Sequence, residues 1–564
     1  MAAALLWLAL LGNPLQEAGQ RVQPVQSSAG MVASQERLAS TVGATILRQG
    51  GNAVDAGVAT AFALAVTLPQ AGNLGGGGFL VFWHQPERRA YALNFREQAP
   101  RRAQADMFIG ADGRVDRQLA TRSLLSSGVP GSVAGLLAAQ QRFGRLSRAE
   151  VINPAIALAD RGFPVYGELA ASLRLAQPLL QADANAARIY LRGKRPYAKG
   201  ELLRQPELAT TLRRIRDQGS DGFYKGFVAQ RIEALMRQGG GLIDQGDLQA
   251  YRAPWVEPVR GNFRGFTLFS MPPPSSGGVT LVQMLNLLEP FELEVMGLNG
   301  VKAIHLLVEV MNLAYRDRNA ELGDPDQVSI PVERLTSKSY AELLRPLLRL
   351  DRHTPSADLG GQASLPANST NTTHLSVADR QGSLLALTTT LNLAYGNGIA
   401  VPGTGVLLNN EMDDFTAQPG VANAFGLVQG ERNAIAPGRR PLSSMAPTIV
   451  LNAEGEPWIA TGSPGGSRII TTVLQVLLNR LLHGLNLASA VLAPRVHSQL
   501  WPDQLQLEEG ISPDTQALLR SLGHQLQRST AMGSANSVEL LPGGGSLGVA
   551  DPRRPEGAAV AEKP

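Results

Sequence analysis

The chain contains no cysteine in its 564 residues. This absence excludes disulfides, thiolate nucleophiles and cysteine-ligated metals, and it leaves the redox compartment open. Histidine is also scarce, with seven residues and no spacing typical of a metal site, so we predict neither a metal ion nor a cofactor. Charged residues make up 17% of the chain, and no run of lysine and arginine is long enough for a nucleic-acid partner.

Long apolar runs are missing too, so we predict no integral membrane segment. Residues 1–11 are apolar but too short to span a bilayer, and Gly12, Asn13 and Pro14 would end a helix there. This stretch resembles the apolar region of a secretory signal, although no basic residues precede it. We therefore predict a signal peptide over residues 1–20 and a periplasmic or secreted protein. An ordinary frayed N-terminus is the alternative.

The residues that are present suit a large buried core, because 44% of them are hydrophobic. Apolar spacing predicts a helix over Ser34–Gln49, capped by Ser34, and a second over Ala56–Leu68, opened by Asn52 and Asp55. Further predicted helices are Val133–Phe143, Val151–Arg161, Gln205–Asp217, Phe227–Arg237, Ile304–Ala320 and Ile469–Leu482. Predicted strands are Phe79–Trp83, Thr448–Leu451 and Trp458–Thr461. This mixture is typical of a layered α+β domain.

A glycine run at residues 75–78 comes before a predicted strand, and a dinucleotide site needs the reverse order. Residues 352–371 lose all periodicity, which predicts an exposed linker. After it, Thr372–Ala378 and Leu384–Thr390 alternate around residues 379–382, which predicts a hairpin. The chain end at residues 552–564, rich in proline, alanine and charge, is predicted to be disordered.

Hydroxyl residues cluster where the linker meets the hairpin, at Ser369–Thr373. A hydroxyl is a poor nucleophile until a base takes its proton. If the Asn371–Thr372 bond were cut, Thr372 would carry a free α-amine whose pKa is about 7.7–8.0. Thr372 would then supply both nucleophile and base, although such clusters are more often plain turns.

A set of motifs decides between these readings. Taken together and in this order, the motifs resemble those of the γ-glutamyltranspeptidases, members of the N-terminal nucleophile hydrolases. The resemblance runs from about residue 30 to about residue 552. The motifs are G-N-A-V-D-A (51–56), G-N-L-G-G-G-G-F (72–79), F-R-E-Q-A-P (95–100), P-P-P-S-S-G-G (272–278), T-T-H-L-S-V (372–377), L-T-T-T-L-N (387–392), L-L-N-N-E-M-D-D-F (407–415), R-P-L-S-S-M (440–445) and T-G-S-P-G-G-S-R (461–468).

The resemblance implies a four-layer αββα sandwich built from one self-cleaving precursor. The cut between Asn371 and Thr372 would give a large subunit, residues 21–371, and a small subunit, residues 372–564. The implied activity is γ-glutamyl transfer and glutathione hydrolysis. The implied partners are glutathione and other γ-glutamyl compounds, amino acid or peptide acceptors, and the two subunits of the precursor themselves.

The resemblance also assigns roles residue by residue. Thr372 is the nucleophile, Thr390 supports it, and Gly465 and Gly466 form the oxyanion pair. Arg96, Ser443 and Ser444 hold the α-carboxylate of the γ-glutamyl group, while Asn392, Glu411 and Asp414 hold its α-ammonium. The loop 419–430 is a lid, with Phe425 as its aromatic.

Two departures and two rivals accompany these assignments. Asn94 stands where many relatives have aspartate, which could loosen the orientation of Arg96, and Glu411 stands where relatives carry glutamine or glutamate. A cephalosporin acylase would remove a glutaryl chain, which has no ammonium and no need of Asp414. A non-enzymatic binding protein would not need Thr372, Thr390 and the two glycines together.

Overall fold

The computed structural model describes residues 23–360 and 372–563. Residues 1–20, the predicted signal peptide, and Asn371, on the predicted cleavage bond, lie outside the described residues. In the described part, the strands are β1 (Val25–Ser27), β2 (Met31–Ser34), β3 (Gly77–His84), β4 (Arg89–Phe95), β5 (Phe163–Pro164), β6 (Leu191–Arg192), β7 (Arg195–Pro196), β8 (Leu202–Leu203), β9 (Trp255–Val256), β10 (Val259–Phe263), β11 (Phe266–Ser270), β12 (Thr372–Ala378), β13 (Leu384–Thr390), β14 (Thr448–Leu451), β15 (Pro457–Thr461), β16 (Val496–His497), β17 (Leu505–Leu507), β18 (Leu526–Arg528), β19 (Ser537–Leu540), β20 (Ser546–Val549) and β21 (Ala558–Ala561).

The helices of the described residues follow in chain order. They are α1 (Arg37–Arg48), α2 (Ala53–Thr67), α3 (Arg117–Arg122), α4 (Ser132–Phe143), α5 (Arg148–Arg161), α6 (Gly167–Leu175), α7 (Gln177–Gln181), α8 (Ala184–Tyr190), α9 (Pro206–Gln218), α10 (Asp221–Tyr224), α11 (Gly226–Gly239), α12 (Gln245–Ala250), α13 (Gly277–Leu288), α14 (Leu293–Met296), α15 (Val301–Glu321), α16 (Val332–Leu335), α17 (Lys338–Leu344), α18 (Ser356–Leu359), α19 (Arg468–Leu481), α20 (Leu487–Leu492) and α21 (Pro513–Ser521).

Two antiparallel sheets, each of seven strands within the described residues, form the middle of the molecule. Sheet I has the order β21-β2-β12-β13-β3-β4-β9, and sheet II has the order β1-β20-β19-β15-β14-β11-β10. The sheets pack face to face, with β12 and β13 of sheet I against β19 and β15 of sheet II. Helices α1, α2 and α4 cover the outer face of sheet I, and α13, α15 and α19 lie beyond sheet II. The predicted αββα sandwich is confirmed.

The alternation along β12 explains how a strand rich in hydroxyl residues can be buried. Leu375 and Val377 belong to the apolar core shared with α1 and α2. The alternate side chains face sheet II and form hydrogen bonds there, as Ser376 Oγ does in donating to the Asn536 carbonyl at 2.8 Å. Buried polar groups cost little when they are paired in this way.

The N-terminal helices agree with prediction except for one cap. Asn52 and Asp55 form a capping box at the start of α2, as expected. The cap of α1 is Glu36, not Ser34, because Ser34 ends strand β2 and the Glu36 carboxylate accepts the N–H groups of Leu38 and Ala39. The other predicted helices are present, with ends that differ by a few residues.

One prediction of disordered chain is wrong for the described residues. Residues 552–563 are not disordered: β21 pairs with β2, and the buried Glu562 accepts the N–H of Gly30 at 2.9 Å. In the predicted linker, residues 352–360 are mostly exposed or half-buried, although Thr354 and Ser356 are buried and Ser356 N–H donates to Asp503 Oδ2 at 3.0 Å. The rest of the predicted linker, residues 361–371, lies outside the described residues. Within the described part of the chain, every helix is too short or too polar to span a membrane.

Candidate active site

The hairpin β12–β13 brings Thr372 and Thr390 together. The two residues are directly opposite in the register, and Thr372 Oγ1 donates to Thr390 Oγ1 at 3.2 Å. Thr390 Oγ1 also accepts the backbone N–H of Asn392 at 2.9 Å. Thr372 is 6% exposed, so its hydroxyl lies at the buried end of the strand. The predicted closeness of these two threonines is confirmed.

Asn73 fixes the end of β13, a role that the sequence analysis missed. Its Nδ2 donates to the Thr390 carbonyl at 2.9 Å and to Thr389 Oγ1 at 3.1 Å. A Cβ on Gly76 would lie 2.0 Å from the same Thr390 carbonyl, so the glycine run allows this loop to approach the strand. The signal was present in G-N-L-G-G-G-G-F, whose glycines serve close backbone packing.

Arg96 lies at the centre of a buried ion-pair group. Its Nη2 donates to Asp414 Oδ2 at 2.6 Å, its Nη1 pairs with Glu411, and its Nε donates to the Pro441 carbonyl at 3.1 Å. Arg96 is 0% exposed. The sequence predicted separate carboxylate and ammonium clamps, whereas the structure joins them through direct ion pairs. Mutual compensation keeps these charges tolerable away from water.

The predicted loosening of Arg96 by Asn94 is not seen in the backbone. Asn94 Oδ1 accepts the backbone N–H of Arg96 at 3.0 Å, so the side-chain amide of Asn94 orients the turn at this position. The Arg96 carbonyl accepts the Tyr251 hydroxyl at 2.7 Å, which holds the turn from its other side.

Burial dominates the titration of this group. It raises the pKa of Glu411 and of Glu97 above the usual range, and the positive charge of Arg96 opposes both shifts. Burial raises the pKa of Asp413 to about 7, and the charge of Asp414 adds to this. Burial alone would lower the pKa of Arg96, but Glu411, Asp414 and Glu97 raise it above its ordinary value. Arg96 therefore stays a cation, and Glu411, Glu97 and Asp413 ionise less readily than exposed carboxyls do.

Ser443 and Ser444 lie beside Arg96, as predicted, and a second arginine supports them. Arg318 Nη2 donates to Ser444 Oγ at 3.3 Å, and Arg318 Nε donates to Ser276 Oγ at 3.2 Å. Burial lowers the pKa of Arg318 to about 10, so it stays a cation at neutral pH. The sequence analysis missed Arg318, which lies among other charged residues near the end of helix α15 and has no distinguishing local signal.

Two unpaired acceptors also line this site. Within the described residues, Asn392 Oδ1 and Glu411 Oε2 are buried without a hydrogen-bond partner. Asn392 has a φ of +73°, a left-handed conformation that turns its side chain into the site after the end of β13. Two acceptors without donors, next to the Asp414 carboxylate, suit a ligand group with several N–H donors, such as an ammonium.

Gly465 and Gly466 form the turn between β15 and α19. Gly466 has a φ of +57°, and a Cβ there would lie 2.4 Å from the Phe425 ring. No acceptor among the described residues takes the backbone N–H of either glycine. Gly466 lines the same cavity as Thr372, whereas Gly465 lies one residue behind the cavity wall. Free N–H groups at a helix start are suited to an anion.

The loop 419–430 covers the site, as the lid assignment predicts. Phe425 and Leu427 form part of the cavity wall, and Gln499 Nε2 donates to the Phe425 carbonyl at 3.3 Å. The loop is also tied to Asp414, since Asn423 Nδ2 donates to Asp414 Oδ1 at 3.1 Å and Gln429 Nε2 donates to the Asp414 carbonyl at 3.2 Å. The covering loop and Asp414 are therefore one hydrogen-bonded unit.

We call the cavity beneath this loop the headgroup pocket. Its volume is about 20 Å³. It is lined by Arg96, Thr372, Thr390, Asn392, Glu411, Asp414, Phe425, Leu427, Leu442, Ser443, Ser444, Met445, Gly466 and Ile469. Residues named from distant parts of the sequence thus surround one small, buried, charged space.

The chain is similar to known proteins over nearly its whole length. The family model described as Gamma-glutamyltranspeptidase matches residues 39–561. The chain is 45% identical to the glutathione hydrolase proenzyme of Escherichia coli (strain K12), with 94% of this chain and 91% of that protein covered. The cephalosporin acylase structure from Bacillus halodurans superposes with a TM-score of 0.84 at 28% identity, covering 96% and 97% of the two chains. The γ-glutamyltranspeptidase structure from Helicobacter pylori gives a TM-score of 0.56 at 41% identity, covering 57% of this chain and 93% of that chain.

Proposed function

We propose a mechanism from one premise: the chain belongs to the γ-glutamyltranspeptidase family, and it is an enzyme of the γ-glutamyltranspeptidase and glutathione hydrolase type. The observation that carries the mechanism is the Thr372–Thr390 hydroxyl pair, 3.2 Å apart, at the mouth of the charged headgroup pocket. Each residue role below is part of the proposal.

The first step is self-cleavage of the bond between Asn371 and Thr372. Thr372 Oγ1 attacks the Asn371 carbonyl carbon, the C–N bond breaks to leave an ester, and water hydrolyses that ester to a carboxylate on Asn371 and the free Thr372 hydroxyl. The cleavage separates a large subunit, residues 21–371, from a small subunit, residues 372–564, and frees the Thr372 α-amine. The amine is then a base a few bonds from the hydroxyl, with a pKa of about 7.7–8.0 in the absence of shifts. Thr390 Oγ1 accepts from Thr372 Oγ1 and fixes its position.

Acylation follows when Thr372 Oγ1 attacks the γ-carbonyl carbon of a γ-glutamyl amide. The new C–O bond forms, the C–N bond breaks, and the hydroxyl proton passes through the α-amine to the departing amine. The N–H groups of Gly465 and Gly466 stabilise the oxyanion that develops on the carbonyl oxygen. The product is a γ-glutamyl ester of Thr372.

The headgroup pocket selects the γ-glutamyl group by its two charges. Arg96 with Ser443 and Ser444 binds the α-carboxylate, and Asp414, Glu411 and Asn392 bind the α-ammonium. A guanidinium fork suits a carboxylate, and carboxylates with an amide oxygen suit an ammonium. Phe425 on the lid loop excludes water from the bound group.

Deacylation reverses the first chemistry with another nucleophile. Water attacks the ester carbon in hydrolysis, and the amine of an amino acid or peptide attacks in transfer. In either case the C–O bond to Thr372 breaks and Thr372 Oγ1 regains a proton. A periplasmic or secreted location, which the apolar residues 1–11 favour, completes the proposal.

A glutaryl acylase is the alternative that the proposal must exclude, because a cephalosporin acylase is among the structural neighbours. A glutaryl group has no ammonium, so it leaves Asp414 and the free oxygens of Asn392 and Glu411 unused. The test compares hydrolysis of γ-glutamyl-p-nitroanilide and glutaryl-p-nitroanilide by the purified protein. We expect cleavage of the γ-glutamyl compound to dominate; faster cleavage of the glutaryl compound would contradict the proposal.

A further inference from the structure

Arg318 is a buried cation beside the headgroup pocket. It is 1% exposed, and no carboxylate among the described residues forms an ion pair with it. Two other deeply buried arginines differ in this respect, because Arg96 pairs with Asp414 and Arg495 pairs with Asp551, each at 2.6 Å. A buried charge without a counter-ion is costly, so the fold around Arg318 favours an anion supplied by a ligand.

The guanidinium of Arg318 donates to neutral oxygens instead. Its Nε donates to Ser276 Oγ at 3.2 Å, and its Nη2 donates to Ser444 Oγ at 3.3 Å. Its Nη1 donates to Gln429 Oε1 at 2.9 Å and to Asn319 Oδ1 at 3.0 Å. A guanidinium has donors only, so each of these oxygens uses a lone pair on Arg318. The two serine hydroxyls therefore keep their protons for other acceptors.

This arrangement of donors extends to the wall of the headgroup pocket. Ser276 Oγ donates to the Ser443 carbonyl at 2.7 Å, so Arg318 holds the Ser443 backbone through one hydroxyl. Ser443 Oγ accepts the backbone N–H of Met445 at 3.1 Å. Ser443 and Ser444 both line the pocket, and neither hydroxyl donates to an acceptor in the described part of the chain. Each is left with a proton to donate, which suits a carboxylate.

The same guanidinium holds the lid loop. Gln429, near the end of loop 419–430, is 4% exposed, and its Nε2 donates to the Asp414 carbonyl at 3.2 Å. The backbone N–H of Gly430 donates to the carbonyl of Asn319, the residue after Arg318, at 3.1 Å. The pocket serines and the covering loop therefore share one anchor, and loss of Arg318 would release both.

We propose that Arg318 is a positioning residue for recognition of the α-carboxylate. It leaves the O–H groups of Ser443 and Ser444 free to donate to the ligand, and its uncompensated charge adds attraction for the anion. It acts through these serines, because it is not part of the pocket lining, whereas Arg96 is. The inference rests on the proposed function and adds a residue to the recognition of its substrate.

The experiment measures kcat and KM for three p-nitroanilides, which carry a γ-glutamyl, a glutaryl or a 4-aminobutyryl group. The first two groups have the carboxylate, and the third has the ammonium alone. Arg318→Gln should lower kcat/KM for the first two by about 10–100-fold, mainly through KM, as for loss of charge-assisted hydrogen bonds. The 4-aminobutyryl compound should be nearly unaffected. Arg318→Lys should restore part of the loss, since it keeps the charge but not the planar fork.

Arg316→Gln is the matched control on the same helix. Arg316 pairs with Asp317 at 2.8 Å and does not line the pocket, so all three rates should be retained. Equal losses for the three compounds in Arg318→Gln would overturn the inference, because a purely structural role lowers every rate alike. Unchanged kinetics would overturn it too.

Ser276→Ala covers the case in which Arg318→Gln does not fold. It removes only the link from Arg318 to the Ser443 carbonyl, so kcat/KM for the two carboxylate compounds should fall about two- to tenfold, and the 4-aminobutyryl compound should again be spared. A variant without this selectivity would contradict the inference. If the wild type fails to cleave γ-glutamyl-p-nitroanilide at all, the proposed function is wrong, which separates that failure from failure of the role of Arg318.

Discussion

The headgroup pocket and a larger cavity, whose lining includes Gln35, Leu68, Arg122 and Leu179, both include Thr372 in their linings, yet they differ in size and charge. We call the larger one the amine-side cavity. The first is about 20 Å³, covered by the lid loop and crowded with Arg96, Glu411 and Asp414. The second is about 660 Å³ and has a mostly apolar lining with one unpaired cation. Dense fixed charge in a small space selects one headgroup, whereas an open apolar space accepts many partners. Under the proposed mechanism, specificity belongs to the acyl side of Thr372 and tolerance to the amine side.

The largest expected effect comes from removing the hydroxyl of Thr372, the residue that lines both cavities. Thr372→Ala should leave a single uncleaved chain and lower hydrolysis of γ-glutamyl-p-nitroanilide by roughly a thousandfold or more, because the nucleophile is lost. A denaturing gel and a rate assay measure the two effects.

Thr373→Ala is the matched control for this variant. Thr373 is the adjacent β12 residue, and its hydroxyl has no hydrogen-bond partner among the described residues. It should still give two fragments. Two normal fragments from Thr372→Ala would refute the assignment of the nucleophile.

The next effect separates the headgroup pocket from the amine side. Asp414→Ala should raise KM for glutathione by about 10–150-fold, since a charge-assisted hydrogen bond contributes about 1.5–3 kcal/mol. Transfer kinetics measured with the acceptor varied at saturating donor should change far less. Asp160→Ala, which removes an exposed ion pair with Arg213, is the control. An unchanged KM would count against the assigned pocket.

A substitution in the turn tests the oxyanion role and the lid together. Gly466→Ala adds a Cβ 2.4 Å from the Phe425 ring at a φ of +57°. We expect kcat to fall about tenfold or more, since backbone donors shift and the lid aromatic is displaced. Gly484→Ala is matched, because its φ is +64° and nothing lies within 4 Å of the added Cβ. Equal kcat losses in the two variants would show that backbone strain alone is responsible.

The smallest effect is a change in pH dependence. Burial raises the pKa of Glu411, so at low pH it is neutral and attracts an ammonium weakly. KM for γ-glutamyl substrates should therefore fall as pH rises through the pKa of Glu411. The free energy of unfolding should change in the unfavourable direction over the same pH range, because the folded state favours the neutral carboxyl and that contribution is lost as Glu411 ionises.

Glu411→Gln tests this titration with little change of shape. The variant keeps an acceptor oxygen but removes the ionisation, so its KM should stay within a few-fold of the wild type and depend less on pH. Glu97, which pairs with Arg96, and Asp413 also have pKa values that burial raises, and both groups are present in both proteins. If the KM–pH profiles of the two proteins coincide, Glu411 does not titrate against the ammonium.

The local pattern predicted part of the fold well. The ends of β12 and β13 were predicted correctly because both strands alternate and a five-residue turn joins them. The pattern failed at β21, where Ala558–Ala561 offers little apolar contrast and joins sheet I through backbone hydrogen bonds. It also failed at Ser34, since membership of a strand outweighed its preference for a helix cap.

The site could be predicted only through the family resemblance. Arg96 and Asp414 are 318 positions apart, and Asn73 is 317 positions from Thr390, so no local pattern links either pair. The resemblance assigned roles to Arg96 and Asp414, but it did not give their direct ion pair. It assigned no role to Asn73 or Arg318, which act by holding other residues. Charge pairing of this kind depends on three-dimensional burial, which a sequence pattern does not contain.

The most direct test of the account is the intact mass and N-terminal sequence of catalytically active protein. We predict two fragments, the smaller of which begins at Thr372 with a free α-amine. Active protein in which the chain is continuous through residues 371 and 372 would contradict the mechanism, because Thr372 would then have no terminal amine to act as its base.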